Sequence, residues 1–283
     1  RDFHSWGKWS PWIIAEPDTR IDVASDGRSY SWEGEIVGSG NIRIDREEPG
    51  KAIYYTLTFL KPWKSTSPVS FLFEPEAAGV KLTWTMVGSM PFFLFFMTKM
   101  MGAFIGMDYD RGLSMLKDYI ETGVVPSKLE FPGLQKTAGF SYIGLKTQCA
   151  VAGVGEAMRK DFDRICSFLG AEQGAFKNCF AIYHKWDLVK GVGEYTACCP
   201  VDEAPQNLPE GFFAGDFPDC QAYLVQHTGP YRHLGNAWAA GMMHGRAKRF
   251  KQSKQLHPFE TYQNDPATTP DRELVTNIHF PIK

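Results

Sequence analysis

Apolar and polar positions in the first part of the chain alternate with a period of two. In Ile53–Leu60, the residues Ile53, Tyr55, Leu57 and Phe59 alternate with Tyr54, Thr56 and Thr58. In Val80–Met86, Val80, Leu82, Trp84 and Met86 alternate with Lys81, Thr83 and Thr85. Successive strand side chains point to opposite faces, so these segments predict half-buried antiparallel strands. Further strands are predicted at 29–37, 41–46 and 70–74, with turns at Gly38-Ser-Gly40 and Ala77-Ala-Gly79. The period then changes. Tyr109, Leu113, Leu116 and Ile120 share one helix face, and Gly123 follows as a C-cap. Pro126 and Pro132 mark 124–132 as a linker between domains 1–123 and 133–283.

The second part repeats itself. One copy reads as a strand at 141–148, a helix at 154–169 with Met158, Phe162, Ile165 and Leu169 on one face, and strands at 181–187 and 194–201. The other reads as a strand at 221–227, a helix at 231–249 and strands at 259–265 and 274–282. Both copies end in Pro and a β-branched residue, Pro200-Val201 and Pro281-Ile282. A tandem βαββ unit predicts an antiparallel sheet with two helices on one face. Aromatics on the opposite face are expected to form a groove at the pseudo-twofold axis. The fold class is α+β.

A length of 283 residues suits two domains. With 30 Lys and Arg against 32 Asp and Glu, the chain lacks the positive field of a dedicated nucleic-acid binder. Six Cys without a C-x-x-C pair predict reduced, buried thiols in a cytoplasmic protein rather than a disulfide scaffold or zinc site. Val87–Met107 is long enough to approach a membrane span, but Pro91 and Lys99 interrupt it. It is expected to cover an apolar cavity. Gly153-Val-Gly155 lacks the third glycine of a dinucleotide fingerprint, the 7 His show no metal-ligand spacing, and no G-x-S-x-G elbow occurs. No cofactor and no metal are expected. The cations from Arg246 to Lys254 read as a solvated helix end.

Glu260 is the acid with chemistry to argue over. In His257-Pro-Phe-Glu-Thr-Tyr262, strand alternation sends Phe259 and Thr261 one way and Glu260 and Tyr262 the other. On a groove face Glu260 would lie among Tyr183, Trp186 and Tyr195. A carboxylate among aromatic rings suits a cationic ligand. The same desolvation suits a general base. The bland alternative is a rim glutamate facing water.

Several motifs in order resemble a known family: Ile182-Tyr-His-Lys-Trp-Asp187, Gln226-His-Thr-Gly-Pro-Tyr231, Asn236-Ala-Trp238, Pro258-Phe-Glu-Thr-Tyr262 and Phe280-Pro-Ile282. Residues 133–283 resemble the GyrI-like small-molecule-binding domain, also attached to AraC-type and MerR-type regulators. The resemblance implies a ligand groove at the repeat junction with Glu260 as its key glutamate. Tyr183, Trp186, Tyr195, Trp238, Tyr262 and Asn277 complete the expected ligand-binding set. Many members carry a second Glu in the last strand, where this chain has Thr276-Asn277-Ile278.

The first part is similar, through Trp9-Ser-Pro-Trp12, Phe73-Glu-Pro75, Leu82-Thr-Trp84 and Gly112-Leu-Ser-Met-Leu-Lys117, to the SRPBCC or polyketide cyclase-like helix-grip (START-like) superfamily, without its first strand. Relatives with this domain pair often carry an N-terminal membrane anchor, which is therefore expected ahead of Arg1. Three functions follow. The first is binding of apolar or cationic small molecules in a sensor or sequestering role, acting through a protein partner rather than directly on nucleic acid. The second is hydrolysis of strained, cyclopropane-containing compounds with Glu260 as general base. The third is lipid transfer by the first domain.

Overall fold

The alternating segments of the first part form a six-stranded antiparallel sheet in a computed structural model that describes residues 1–88, 92–170 and 179–283. The chain divides into two units, Arg1–Val125 and Pro126–Lys283. In the first, strands β1 (Arg20–Val23), β2 (Ser29–Glu33), β3 (Ser39–Glu48), β4 (Ala52–Lys61), β5 (Ser65–Glu76) and β6 (Gly79–Met86) pair in chain order as a meander. Helix α1 (Thr98–Thr122) follows and stops at Gly123, whose φ of +79° is left-handed and whose N–H donates to the Tyr119 carbonyl. The helix packs on the sheet through Tyr109, Gly112 and Met115. Ile120, expected on this face, is exposed instead; Leu113 and Leu116 pack on the core as expected, and Tyr119 rather than Ile120 joins them.

The interior of this unit is filled by rings. The chain's first turn, Phe3–Lys8, is a 3-10 helix, so Phe3 and Trp6 fall on one side and Trp9 follows three residues later. Phe3 stacks on Tyr30, Trp6 meets Phe71, and Trp9 meets Trp84 edge to face. Trp84 in turn stacks on Tyr109 with centroids 3.9 Å apart. These rings fill the space between sheet and helix. The segment expected to cover a cavity does not do so. Ser89, Met90 and Pro91 lie outside the described residues, and Phe92, Phe93, Phe95 and Phe96 are all exposed.

The second unit carries an eight-stranded antiparallel sheet. Its strands are β7 (Lys128–Thr137), β8 (Phe140–Ala150), β9 (Phe180–Asp187), β10 (Val192–Pro200), β11 (Phe212–Phe217), β12 (Cys220–Thr228), β13 (Phe259–Tyr262) and β14 (Val275–Pro281). Helix α2 (Val154–Phe168) follows β8, and α3 (Gly235–Arg246) follows β12. The spatial order is β11-β8-β10-β9-β13-β14-β12-β7. Each copy supplies three central strands, and the leading strand of each copy joins the outer edge of the other. The expected linker 124–132 is thus partly strand. Pro132 and Gly133 disguise β7, but it is an edge strand with a bulge opposite Leu224–Gln226, the place where a sheet tolerates proline.

Two apolar layers flank this sheet. One lies under the helices and joins Met158, Phe162 and Ile165 of α2 to Tyr195 and Tyr262. On the other face Tyr142, Phe180, Phe217 and Phe259 pack together. Phe217 and Phe259 touch at 4.7 Å although β11 and β13 are four positions apart in the sheet, so the sheet curls over this second cluster.

Candidate functional site

Strand β13 presents Glu260 and Tyr262 to the helix-bearing face and Phe259 to the curled face. The expected groove therefore does not lie on the face opposite the helices. Both faces of these strands carry aromatics, so period-two patterning gives no rule for which face the helices cover.

Glu260 is 1% exposed and sits at the junction of the copies, opposite Ala181 of β9 and Ile278 of β14. Its carboxylate accepts from three groups. The Tyr183 and Tyr262 hydroxyls each donate to Oε2 at 2.8 Å. The Trp238 indole N–H donates to Oε1, tying α3 to the centre of the sheet. Burial pushes the Glu260 carboxyl above its ordinary value, and the Trp238, Tyr262 and Tyr183 hydrogen bonds oppose that rise. Burial, then the nearby Glu260 charge, drives both tyrosine hydroxyls well above the usual tyrosine value.

Rings close the site on each side. Tyr183 meets Trp238 at 4.8 Å and Trp186 at 5.8 Å, both edge to face. Strict alternation would put Tyr183 and Trp186 on opposite faces. A bulge resolves this: Glu194 pairs with Lys185 and Tyr195 with Tyr183, so His184 is an extra residue and the two rings share a face. Trp186 lies over Gly193, where a Cβ would come within 2.9 Å of its ring. Tyr231, placed by the turn before α3, meets Tyr262 at 5.9 Å. Trp186 and Tyr231 are each 39% exposed and form the rim of the site. Tyr231 and Met158, whose sulfur accepts from the Tyr262 hydroxyl, were not among the expected site residues. Helix periodicity placed Met158 in the core without distinguishing its contact.

Two expected residues are elsewhere. Tyr195 is buried on the same face, but its hydroxyl donates to Asp161 at 2.8 Å, an acceptor shared with Thr147. Asn277 pairs with Thr261 in register and accepts from Gln226 at 2.9 Å, so it points with Thr261 to the curled face. Ile278 takes its place opposite Glu260.

The cysteines also differ from expectation. Cys179 and Cys199 face each other across β9 and β10 and form a disulfide, with Cα atoms 4.5 Å apart. Pairing of residues 20 apart in sequence depends on the strand register, which spacing alone does not show. Among the described residues these two and Cys166 form the one group with metal-ligating atoms close together, within 4.8 Å, and the disulfide engages two of the three.

No curated protein matches the sequence. Among solved structures, the chain is similar to EcmrR in its DNA complex, with 17% identity, TM-score 0.46 and coverage of 65% of each chain. It thus spans about two thirds of that protein. It is similar to SAV2435 bound to tetraphenylphosphonium, with 13% identity, TM-score 0.42 and coverage of 54% of this chain and 94% of that one. It is also similar to a hydrolase from Listeria innocua, with 10% identity, TM-score 0.35 and coverage of 53% and 92%. The GyrI-like small molecule binding domain matches residues 136–283, just over half of the sequence and all the elements from β8 to β14 that build the Glu260 site, and the chain belongs to that family.

Proposed function

We propose that the second unit binds apolar organic molecules carrying a positive charge, with Glu260 as countercharge and the rings of Tyr183, Trp186, Trp238 and Tyr231 as walls. One observation carries this reading. Glu260 is a fully buried acid whose described hydrogen-bond donors are all neutral. A buried carboxylate without a cation is costly, and a ligand that brings the cation recovers that cost. Aromatic faces add cation–π attraction. Access requires the rim side chains Trp186 and Tyr231 to swing aside, since Glu260 itself is closed to solvent. Binding without turnover fits a sensor or sequestering role, exercised through a protein partner.

The test is titration of the whole chain with tetraphenylphosphonium and with a neutral triphenyl compound of similar size. Glu260→Gln should weaken the cation by about 10- to 100-fold, the loss of one charged partner in a desolvated site. The neutral compound should change by less than about threefold. Equal losses for both ligands refute the charge role.

The raised carboxyl pKa favours a second reading, in which Glu260 is the general base of a hydrolase acting on strained rings. Glu260→Gln would then preserve substrate binding and cut turnover about 100-fold or more.

A further inference from the structure

Just ahead of α1, the first unit carries a cluster of rings that touch little of the protein. Phe92, Phe93, Phe95 and Phe96 are between 66% and 88% exposed, in the 3-10 turn Phe92–Met97 that leads into α1. Residues 98–102, the start of α1, are exposed, half-burial begins at Ala103 with Ile105 against the core, and full burial begins at Tyr109, so the first turn of the helix projects beyond its sheet. Two further apolar residues lie at the same end. Val87 bonds its N–H to the Pro68 carbonyl near the start of β5, and Trp63 caps the β4–β5 turn just beyond Phe59 and Ser65. They are 67% and 73% exposed. Phe92 follows Gly88 by four residues, within about 14 Å of chain.

We propose that this end of the first unit docks on the surface of a lipid bilayer. Three features describe the contact, and the second, the charge pattern, chooses lipid over a protein partner. First, the exposed rings project from a turn and a hairpin tip and are not recessed in a groove. Rings that project in this way bury in acyl chains without a matching pocket on the other side. Second, the contributing segments 49–73 and 77–107 contain no Asp or Glu, and Lys64 and Lys99 flank the rings. Lys61 is held by Glu33 at 3.7 Å. Aromatics beside lysines match the apolar boundary and anionic headgroups of a leaflet. Third, no described helix is long and apolar enough to cross a membrane, so the contact is one of surface insertion. Exposed apolar patches of this kind mark interaction sites.

The experiment is co-sedimentation of the whole chain with phosphatidylcholine vesicles and with vesicles that also contain phosphatidylserine. The wild type should partition onto both and prefer the anionic ones. The variant F92S/F93S/F95S/F96S should partition at least about tenfold less, with an unchanged melting temperature because the rings support no core. The pair F92S/F93S, a smaller perturbation, should give an intermediate loss. K64E/K99E should remove the anionic preference and leave the weaker binding to neutral vesicles. Three results overturn the proposal: no partition of the wild type, partition undiminished by the serine substitutions, or serine variants that only convert an oligomer to a monomer, which would make this face a self-association surface.

Discussion

Trp238→Phe isolates the link between helix α3 and the central acid. The substitution removes the indole N–H that donates to Glu260 Oε1 and keeps a ring to pack on Tyr183 and Phe280, now at 4.8 and 5.4 Å from Trp238. A hydrogen bond to a charged acceptor contributes about 1.5–3 kcal/mol, and the lost pyrrole area adds about 1 kcal/mol. At about 2–4 °C per kcal/mol for a unit of this size, the calorimetric transition of the second unit should fall by about 5–15 °C. The penalty should also depend on pH. Burial holds the folded-state carboxyl above its ordinary value of 4.5, so its protonated form favours folding and that contribution fades as pH rises. The Trp238 bond lowers this carboxyl, and losing it lifts the folded value further. The cost of Trp238→Phe should therefore be larger at pH 8 than at pH 5. A variant with the same penalty at both values, or with none at pH 8, would refute an ionised Glu260 held by Trp238.

Other substitutions test the surrounding framework. Gly241→Ala should cost more than about 2 kcal/mol in urea unfolding, because its Cβ would fall 2.1 Å from the buried Phe280 ring, while Gly155→Ala, with nothing within 4 Å, should gain up to about 1 kcal/mol. Asp161→Asn should cost about 1–3 kcal/mol in the same assay by weakening the Tyr195 and Thr147 bonds, and should leave tetraphenylphosphonium affinity within about twofold, since this network does not touch Glu260. Burial lowers His227 and His279 to about 4, so both fold neutral; each should withdraw up to about 3 kcal/mol as pH falls from 6.5 to 4, and a His279→Gln variant with an unchanged acid limb of stability against pH would refute this.

The repeat and the two-face alternation around Glu260 were legible because both depend on local periodicity. What escaped depends on partners distant in sequence. Strand β7 carries Pro132 and reads as a linker, and its bulge opposite β12 is visible only once the other copy is paired to it. Trp186 reaches the face of Tyr183 through an extra residue, His184, that no period-two count anticipates. Asn277 was placed through the family resemblance, at the position of the second Glu, yet its register with Thr261 turns it to the curled face. Helix α3 ends at Arg246 rather than near 249, where Lys248 takes a φ of +61° that no helix continues. The helix-bearing face itself was misassigned because rings line both sides of the sheet.

The pseudo-twofold axis explains why a single acid stands at the centre. Phe180 pairs with Cys198 as Phe259 pairs with His279, which makes Ala181 the counterpart of Glu260 and Tyr183 the counterpart of Tyr262. The 3-10 turns at 151–153 and 231–233 align the helices so that Met158 corresponds to Trp238 and Asp161 to Gly241. Both copies thus supply a tyrosine and a helix residue, and each helix residue reaches across: Met158 to Tyr262, Trp238 to Tyr183. The acid is not duplicated. Ala181 and Glu260 are directly paired, and a second carboxylate there would face the first across about 5 Å of desolvated space. The outer corners diverge as well. In the first copy Asp161 engages Tyr195 and Thr147, while in the second Gly241 admits the Phe280 ring that backs Trp238. On the proposed reading, a nearly symmetric frame of rings with one charge offset to the Glu260 copy would favour one orientation of a bound cation over its pseudo-twofold mate.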